Sequence, residues 1–218
     1  MPRHITHQRG TLDRIANLNA YKLKPAARGS AAWNARATAV REIAPDILGV
    51  QEIVVDERTT AREDWESEAA ALVHDFAAAC GLSTAVTATA TYPHNTAMAN
   101  NTHRPWWTAL MWNPDTVAVV DGSYRPYGAP DFWHGLTTVS FDIGARTPVL
   151  GYSYHGGPFH PRWRYDECLR IKGMLRRTGG VAPAVVLMDG DFVSATEVVG
   201  GRRAHALLRR RAVRGPGP

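Results

Sequence analysis

Residues 46–52 read DILGVQE, a short apolar run that ends in two polar residues. Runs of this length and composition are typical of a strand that is buried on both faces. The last residue, Glu52, stands where a rigid strand can present a side chain to a functional site. Its carboxylate suits Mg²⁺, which often takes one or two carboxylates together with a substrate phosphate. A solvated acid at a strand end is the alternative interpretation.

Segments on either side of this strand show helix and strand patterns. We predict a strand over residues 15–21, a helix that stops at Pro45, and a helix over residues 63–80 that stops at Gly81. From Leu82 onward the pattern is mainly that of β structure, with one more helix near residues 164–177. The strands predicted in this part are STAVTATA (83–90), WTALMW (107–112), TVAVVD (116–121), LTTVSFDI (136–143), PVLGYSYH (148–155) and AVVLMDGD (184–191). This order favours a layered α/β fold with mostly antiparallel strands.

Three further polar residues stand at the ends of predicted strands: Asn19, His155 and Asp191. His155 can donate a proton or a hydrogen bond to a phosphate oxygen, and Asp191 can orient or deprotonate a water molecule. Local explanations remain open, because Asp is common in turns and caps, and Asn19 can satisfy nearby backbone groups. Asp189 alternates in register with Asp191, and we interpret it as structural.

The net charge of +5 suggests nucleic-acid binding, but the excess positive charge lies in one segment of the chain. Residues 199–218 contain six of the 25 basic residues and no acid. The other 19 basic residues face 20 acidic ones, so residues 1–198 carry a net charge of −1. We therefore predict one domain over residues 1–198 and an Arg/Gly-rich tail, disordered or a short helix, over residues 199–218.

No stretch near the N-terminus has the continuous apolar character of a signal peptide or membrane span, so we expect a soluble, cytoplasmic protein. Only Cys80 and Cys168 are present, far apart in the sequence, which indicates neither a disulfide framework nor a zinc site. The oligomeric state is not indicated by any pattern in the chain.

Taken in order, five segments resemble the successive motifs of the endonuclease/exonuclease/phosphatase superfamily, which has the deoxyribonuclease I-like fold. They are NLNAY (17–21), DILGVQE (46–52), WTALMWNPD (107–115), YSYHGGP (152–158) and VVLMDGDF (185–192). The resemblance implies a four-layer α/β sandwich of two mixed, mostly antiparallel sheets flanked by helices, with the site at one edge. It also implies metal ligands at Asn19 and Glu52, a catalytic histidine at His155, and Asp191 as the residue that positions the attacking water. The implied cofactor is Mg²⁺, with Mn²⁺ as a second option, and the implied reaction is hydrolysis of a phosphoester.

The resemblance runs from about Arg14 to Phe192 and ends there. Where the family has an asparagine, this chain has Val193, which cannot donate or accept a hydrogen bond, and a rate loss of about ten- to a thousand-fold is expected by analogy with deleting an oxyanion donor. The family's closing Ser-Asp-His motif has no counterpart, since no aspartate follows Asp191 and His205 lies in an Arg-rich segment. Arg, Gly, Ala and Pro make up fifteen of the last twenty residues, as in an out-of-frame reading of a GC-rich gene, so we expect the fold to be incomplete at its C-terminus.

Two functions follow from these patterns. The first is a metal-dependent phosphoesterase that acts on nucleic-acid phosphodiesters, that is, a nuclease. The second is an impaired or inactive remnant that at most binds nucleic acid through residues 202–211. The fold does not choose among DNA, RNA, inositol phosphate and sphingolipid substrates. The segments HRPWW (103–107) and YRPYGAPDFWHG (124–135) offer arginine and aromatic residues that suit base stacking, or alternatively ordinary packing.

Overall fold

A computed structural model of the protein describes residues 14–90, 92–177 and 183–190. The first sheet consists of β1 (Ile15–Leu23), β2 (Ile47–Val54), β3 (Met98–Ala99) and β4 (Trp106–Trp112), in the order β1-β2-β4-β3. β1 and β2 are parallel, whereas β4 is antiparallel to both β2 and β3. All eight residues of β2 are buried, as the apolar run in the sequence predicts.

The second sheet comes from the later part of the chain. Its strands are β5 (Ala118–Val119), β6 (Arg125–Tyr127), β7 (Gly135–Asp142), β8 (Val149–Gly156) and β9 (Ala184–Gly190). The order is β5-β7-β8-β9, and β6 also pairs with β7. β8 and β9 are parallel, and the other pairs in this sheet are antiparallel. Both sheets are therefore mixed and mostly antiparallel, as predicted.

In the described part of the chain, three α-helices cover the sheets: α1 (Ala31–Ile43), α2 (Trp65–Cys80) and α3 (Pro161–Arg177). The Ser30 hydroxyl caps α1 by accepting a hydrogen bond from the Trp33 backbone N–H at 3.2 Å. α2 ends at Gly81, whose φ of 73° is the left-handed conformation that glycine adopts most easily. All three predicted helices are thus confirmed, with boundaries shifted by a few residues.

Three apolar clusters separate the four layers. The first joins α1 and α2 to the outer face of the first sheet, with Trp33 and Phe76 in edge-to-face contact at 5.1 Å between ring centroids. The second fills the space between the two sheets. The third joins α3 to the second sheet through Ile171 and Tyr154. The predicted four-layer α/β sandwich is confirmed.

Some details of the strand prediction are wrong. The segment STAVTATA forms only two isolated bridges, Ser83 with Trp112 and Ala85 with Thr96. Only two residues of TVAVVD pair as a strand, and the short strands β3 and β6 are missing from the prediction. Strands of two or three residues are too short to show an alternating pattern, and their pairing depends on the neighbouring backbone, which residue composition does not record.

Several predictions concern residues that the structure does not describe. Asp191, Val193, His205 and the boundary at residue 198 lie outside the described residues. No helix within the described ranges combines the length and the apolar character needed to cross a lipid bilayer.

Candidate functional site

The candidate site lies where strands of both sheets end at one edge of the sandwich. Parallel pairing brings Asn19 in β1 next to Gln51 in β2. The Gln51 side chain then crosses to the second sheet, where its Nε2 donates to Ser153 Oγ at 3.1 Å. Glu52 follows Gln51 by one residue and His155 follows Ser153 by two. The sheet-to-sheet hydrogen bond therefore holds the ends of β2 and β8, with Glu52 and His155, at the same edge.

The two predicted metal ligands lie side by side. Asn19 Nδ2 donates to Glu52 Oε1 at 2.9 Å, and the Lys22 backbone N–H donates to Glu52 Oε2 at 3.2 Å. Asn19 Oδ1 in turn accepts a hydrogen bond from the Tyr21 backbone N–H at 2.8 Å. Asn19 therefore orients Glu52, and the backbone of β1 orients Asn19.

Irregular backbone in β1 and β2 sets the direction of the Asn19 and Glu52 side chains. Tyr21, Lys22 and Glu52 have φ angles of 48°, 59° and 58°, in the left-handed region that residues with a Cβ rarely adopt. The register shifts between Asn19 and Leu23 in β1, and the β2–β4 pairing shifts around Glu52 as well. Bulges of this kind re-aim side chains next to functional sites, and strained conformations persist there when the surroundings fix them.

The Glu52 carboxylate is buried, with only 8% of the residue exposed. Its hydrogen-bond donors are an amide and a peptide N–H, and the ion pairs formed among the described residues do not include it. A buried carboxylate without a cationic partner is costly, so the Glu52 carboxylate suits a hard divalent cation such as Mg²⁺. Within the described ranges, no three His, Cys, Asp or Glu side chains are grouped closely enough to hold a metal by themselves. The fit is therefore to a cation held by one carboxylate with amide, water and substrate oxygens.

A second histidine accompanies the predicted one. His155 at the end of β8 is 2% exposed, and the His134 ring lies 4.4 Å from it between centroids at an interplanar angle of 63°. His134 immediately precedes β7, and the antiparallel register pairs the next residue, Gly135, with His155. We call His134 and His155 the histidine pair.

His134 is buried without hydrogen-bond partners for either ring nitrogen in the described structure. Burial, together with the nearby His155 and Arg104, lowers the pKa of His134 from 6.5 to about 3. The imidazole is therefore neutral at neutral pH and has one N–H to donate. The sequence analysis missed His134. Antiparallel pairing of the consecutive strands LTTVSFDI and PVLGYSYH is the signal that could have placed it beside His155.

Trp106 connects the histidine pair to the Asn19–Glu52 pair. Its ring centroid lies 5.7 Å from that of His134, and Lys22 Nζ lies 5.9 Å from the centroid of the same ring. The Lys22 backbone N–H is the group that binds Glu52. Trp106 thus lies between the Lys22 side chain and the histidine pair, and the Lys22 backbone N–H links this chain of contacts to Glu52.

Glu167 in α3 is a further buried acid that the sequence analysis missed. It accepts hydrogen bonds from the Trp133 N–H at 2.6 Å, the Gly157 N–H at 3.0 Å and the Tyr154 hydroxyl at 2.5 Å. Burial raises the pKa of Tyr154 above its ordinary value, and the hydrogen bond to Glu167 raises it further. Glu167 therefore fixes the loop before β7, which carries His134, and the start of the loop after β8, two residues beyond His155. A helical acid among other polar residues gives no sign of this role in sequence.

The predicted catalytic Asp191 follows β9 but lies outside the described residues. The backbone of β9 pairs in parallel with β8, so that Asp189 is the partner of His155 and Gly190 that of Gly156. The chain therefore leaves β9 at the edge where His155 stands. The role of Asp191 itself stays a prediction.

Comparison with solved structures identifies the fold. An endonuclease/exonuclease/phosphatase protein from Bacteroides vulgatus matches with a TM-score of 0.54 and 14% identity, over 85% of this chain and 67% of that one. A family protein from Bacteroides thetaiotaomicron matches with a TM-score of 0.54 and 13% identity, over 80% of this chain and 62% of that one. A mannosyl-6-phosphatase from the same species matches with a TM-score of 0.50 and 14% identity, over 79% of this chain and 62% of that one.

The chain therefore has the endonuclease/exonuclease/phosphatase fold, and the fold predicted from the sequence motifs is confirmed. It spans only 62% of the length of two of these structures and 67% of the third. Comparison with protein-family models gives no match, and comparison with curated protein sequences gives none.

Proposed function

We propose that the protein is a divalent-cation-dependent phosphoesterase that hydrolyses phosphodiester bonds in nucleic acid. The observation that carries this proposal is the buried Asn19–Glu52 pair, which lies at the same edge of the sandwich as His155. A fold shared with nucleases and phosphatases supports the reaction class, and the chemistry of the side chains supports the assignment of roles.

Glu52, oriented by Asn19, would hold Mg²⁺, and Mn²⁺ accepts the same oxygen donors. When bound, such a cation stabilises negative charge on the phosphoryl oxygens. The protein's contribution is to fix the carboxylate before the substrate arrives, through the hydrogen bonds from Asn19 and the Lys22 N–H. Preorganised groups of this kind do not have to rearrange during the reaction.

The proposed role of the histidine pair is to donate hydrogen bonds to the phosphoryl group. The neutral His134 imidazole would donate its N–H to a non-bridging phosphoryl oxygen, and His155 would donate to the same group. Asp191 would accept the proton of the attacking water as the new oxygen–phosphorus bond forms and the bond to the leaving oxygen breaks.

Hydrolysis of a generic phosphodiester by purified protein in Mg²⁺ or Mn²⁺ tests the proposal. We expect Glu52→Gln to lower kcat/KM at least about a hundred-fold, comparable to removal of a preorganised charge-stabilising group. Glu57→Gln is the matched control, because it makes the same chemical change at an exposed position. Binding of Mn²⁺, followed by electron paramagnetic resonance, should be lost in Glu52→Gln and retained in Glu57→Gln.

Equal activity in wild type and Glu52→Gln would refute the assignment of Glu52. No hydrolysis by wild type, with nucleic-acid binding that disappears when residues 199–218 are deleted, would favour the binding-module alternative. That alternative rests on the concentration of six arginines in those twenty residues.

A further inference from the structure

Three aromatic side chains meet beside the histidine pair. The Trp133 and Trp163 rings are stacked, with centroids 5.4 Å apart and an interplanar angle of 20°. Phe159 contacts Trp133 edge-on, with a centroid separation of 5.4 Å. We call Trp133, Phe159 and Trp163 the aromatic platform. Its members come from the loop before β7, the loop after β8 and the start of α3, so tertiary structure alone brings them together.

The aromatic platform is open to solvent. Phe159 is 61% exposed and Trp163 is 47% exposed. Exposed aromatic clusters are unfavourable in water and commonly mark binding surfaces. This one is held in place, because the Trp133 N–H donates to buried Glu167 and Arg164 Nη1 donates to the carbonyl oxygens of Gly157 and Pro158. A ligand would therefore meet a preformed surface.

The platform adjoins the proposed phosphate site. Trp133 directly precedes His134, and Phe159 follows His155 by four residues. Trp133 and Trp163 line a cleft of about 690 Å³, which falls within the range of small-molecule sites. Because Trp133 and His134 are consecutive residues, the lining of the cleft continues along the chain into the histidine pair.

The charges around the cleft suit an anion with a flat apolar substituent. The Arg104 guanidinium lies 5.3 Å from the Trp133 ring centroid, and so places a cation against the platform. Of the acids that line the cleft, Asp131 pairs with Arg170 at 2.7 Å and both Glu167 oxygens accept hydrogen bonds, whereas Asp166 adds a further carboxylate to the lining. Aromatic faces with an arginine are the usual means of binding unpaired bases and their phosphates.

We infer that the aromatic platform binds an unpaired nucleobase of the substrate next to the scissile phosphate, so that the preferred substrate is single-stranded nucleic acid. This inference rests on the proposed function. A base inside a duplex has its faces covered by its neighbours and cannot stack on Trp163 or Phe159. The net charge of −1 over residues 1–198 likewise supplies little general attraction to duplex phosphates.

The test uses Trp163→Ala with two single-stranded oligonucleotides of equal length, one carrying bases and one abasic throughout. Loss of one stacked base should raise KM for the base-containing strand about 5- to 100-fold. KM for the abasic strand should stay unchanged, because its phosphates are the same. Trp163→Phe keeps an aromatic face and should restore most of the affinity, which separates loss of stacking from loss of folding. Tyr165→Ala is the matched control, since Tyr165 is 64% exposed on the same helix.

Binding of both strands to wild type and Trp163→Ala in EDTA, measured by fluorescence anisotropy of labelled strands, separates this inference from the proposed function. If wild type hydrolyses no phosphoester but prefers the base-containing strand through Trp163, the hydrolase assignment fails and the stacking site stands. If Trp163→Ala weakens both strands equally or neither strand, the stacking site is refuted whatever the activity of the wild type.

Discussion

His134 shows how one buried side chain links stability to pH. Its pKa is about 3 in the folded protein and 6.5 in an ordinary setting, because burial disfavours the charged imidazolium. Between these values the unfolded chain binds a proton that the folded chain does not. The free energy of unfolding therefore rises as pH rises through this window, and this contribution is lost as pH falls from about 6.5 toward 3.

We expect His134→Gln to flatten this dependence. Between pH 6.5 and pH 4.5, the variant should lose up to about 1.4 kcal/mol less per pH unit than wild type. Urea unfolding at several pH values measures the difference in slope. His103→Gln makes the same change at an exposed histidine and should leave the slope as in wild type. Parallel slopes for wild type and His134→Gln would contradict the buried, neutral state of His134.

The end of β1 is bulged, and its backbone is held in a strained conformation where it pairs with β2. Tyr21 has a φ of 48° although 76% of the residue is exposed, so packing of its ring does not explain the conformation. We expect Tyr21→Gly to be more stable than Tyr21→Ala by about 1 kcal/mol, because only alanine pays the left-handed steric cost. Chemical denaturation of the two variants measures this difference.

Ala118→Gly is the control for the two Tyr21 variants, because glycine should lower stability at that position. Ala118 in β5 is exposed and is not among the residues with positive φ, so Ala118→Gly should destabilise the protein by about 0.5–1 kcal/mol through chain entropy. If Tyr21→Gly were the less stable of the Tyr21 pair, the left-handed conformation would not be a strained one.

Elements that satisfy their own local rules were predictable from sequence. β2 is buried on both faces and reads as an apolar run, while α2 has an apolar stripe and a glycine stop. β3 was not predictable, because its two residues are too few to show a strand pattern, although its partner β4 follows directly after residues 100–105. The site divides in the same way. Asn19, Glu52 and His155 lie within strands that are recognisable in the sequence. His134, Glu167 and the aromatic platform come together only after distant segments pack.

Gly49 in β2 sets the distance between the two sheets. A Cβ at Gly49 would lie 2.5 Å from Leu187 Cβ in β9, which is closer than atoms can pack. We expect Gly49→Ala to destabilise the protein by about 1–3 kcal/mol, because the sheets must separate to admit the methyl group. Thermal and urea unfolding would detect this loss.

A double variant tests the cause. Leu187→Gly removes the clashing atom, so Gly49→Ala should cost less in that background than in wild type. Gly173→Ala in α3 has no neighbour within 4 Å of the added Cβ and should stabilise the helix by about 0.5–1 kcal/mol. Additive effects of the Gly49 and Leu187 changes would show that Leu187 does not limit the spacing.

The hydrogen bond from Gln51 to Ser153 has a consequence for how function can be lost. The first sheet comes from residues 15–112 and the second from residues 118–190, so each is built from its own continuous stretch of chain. Glu52 belongs to one half and the histidine pair to the other. Enzymatic turnover would therefore act as a reporter of docking between the halves. A partly unfolded form with both sheets intact but slipped apart would keep its helical circular dichroism and lose the proposed hydrolysis.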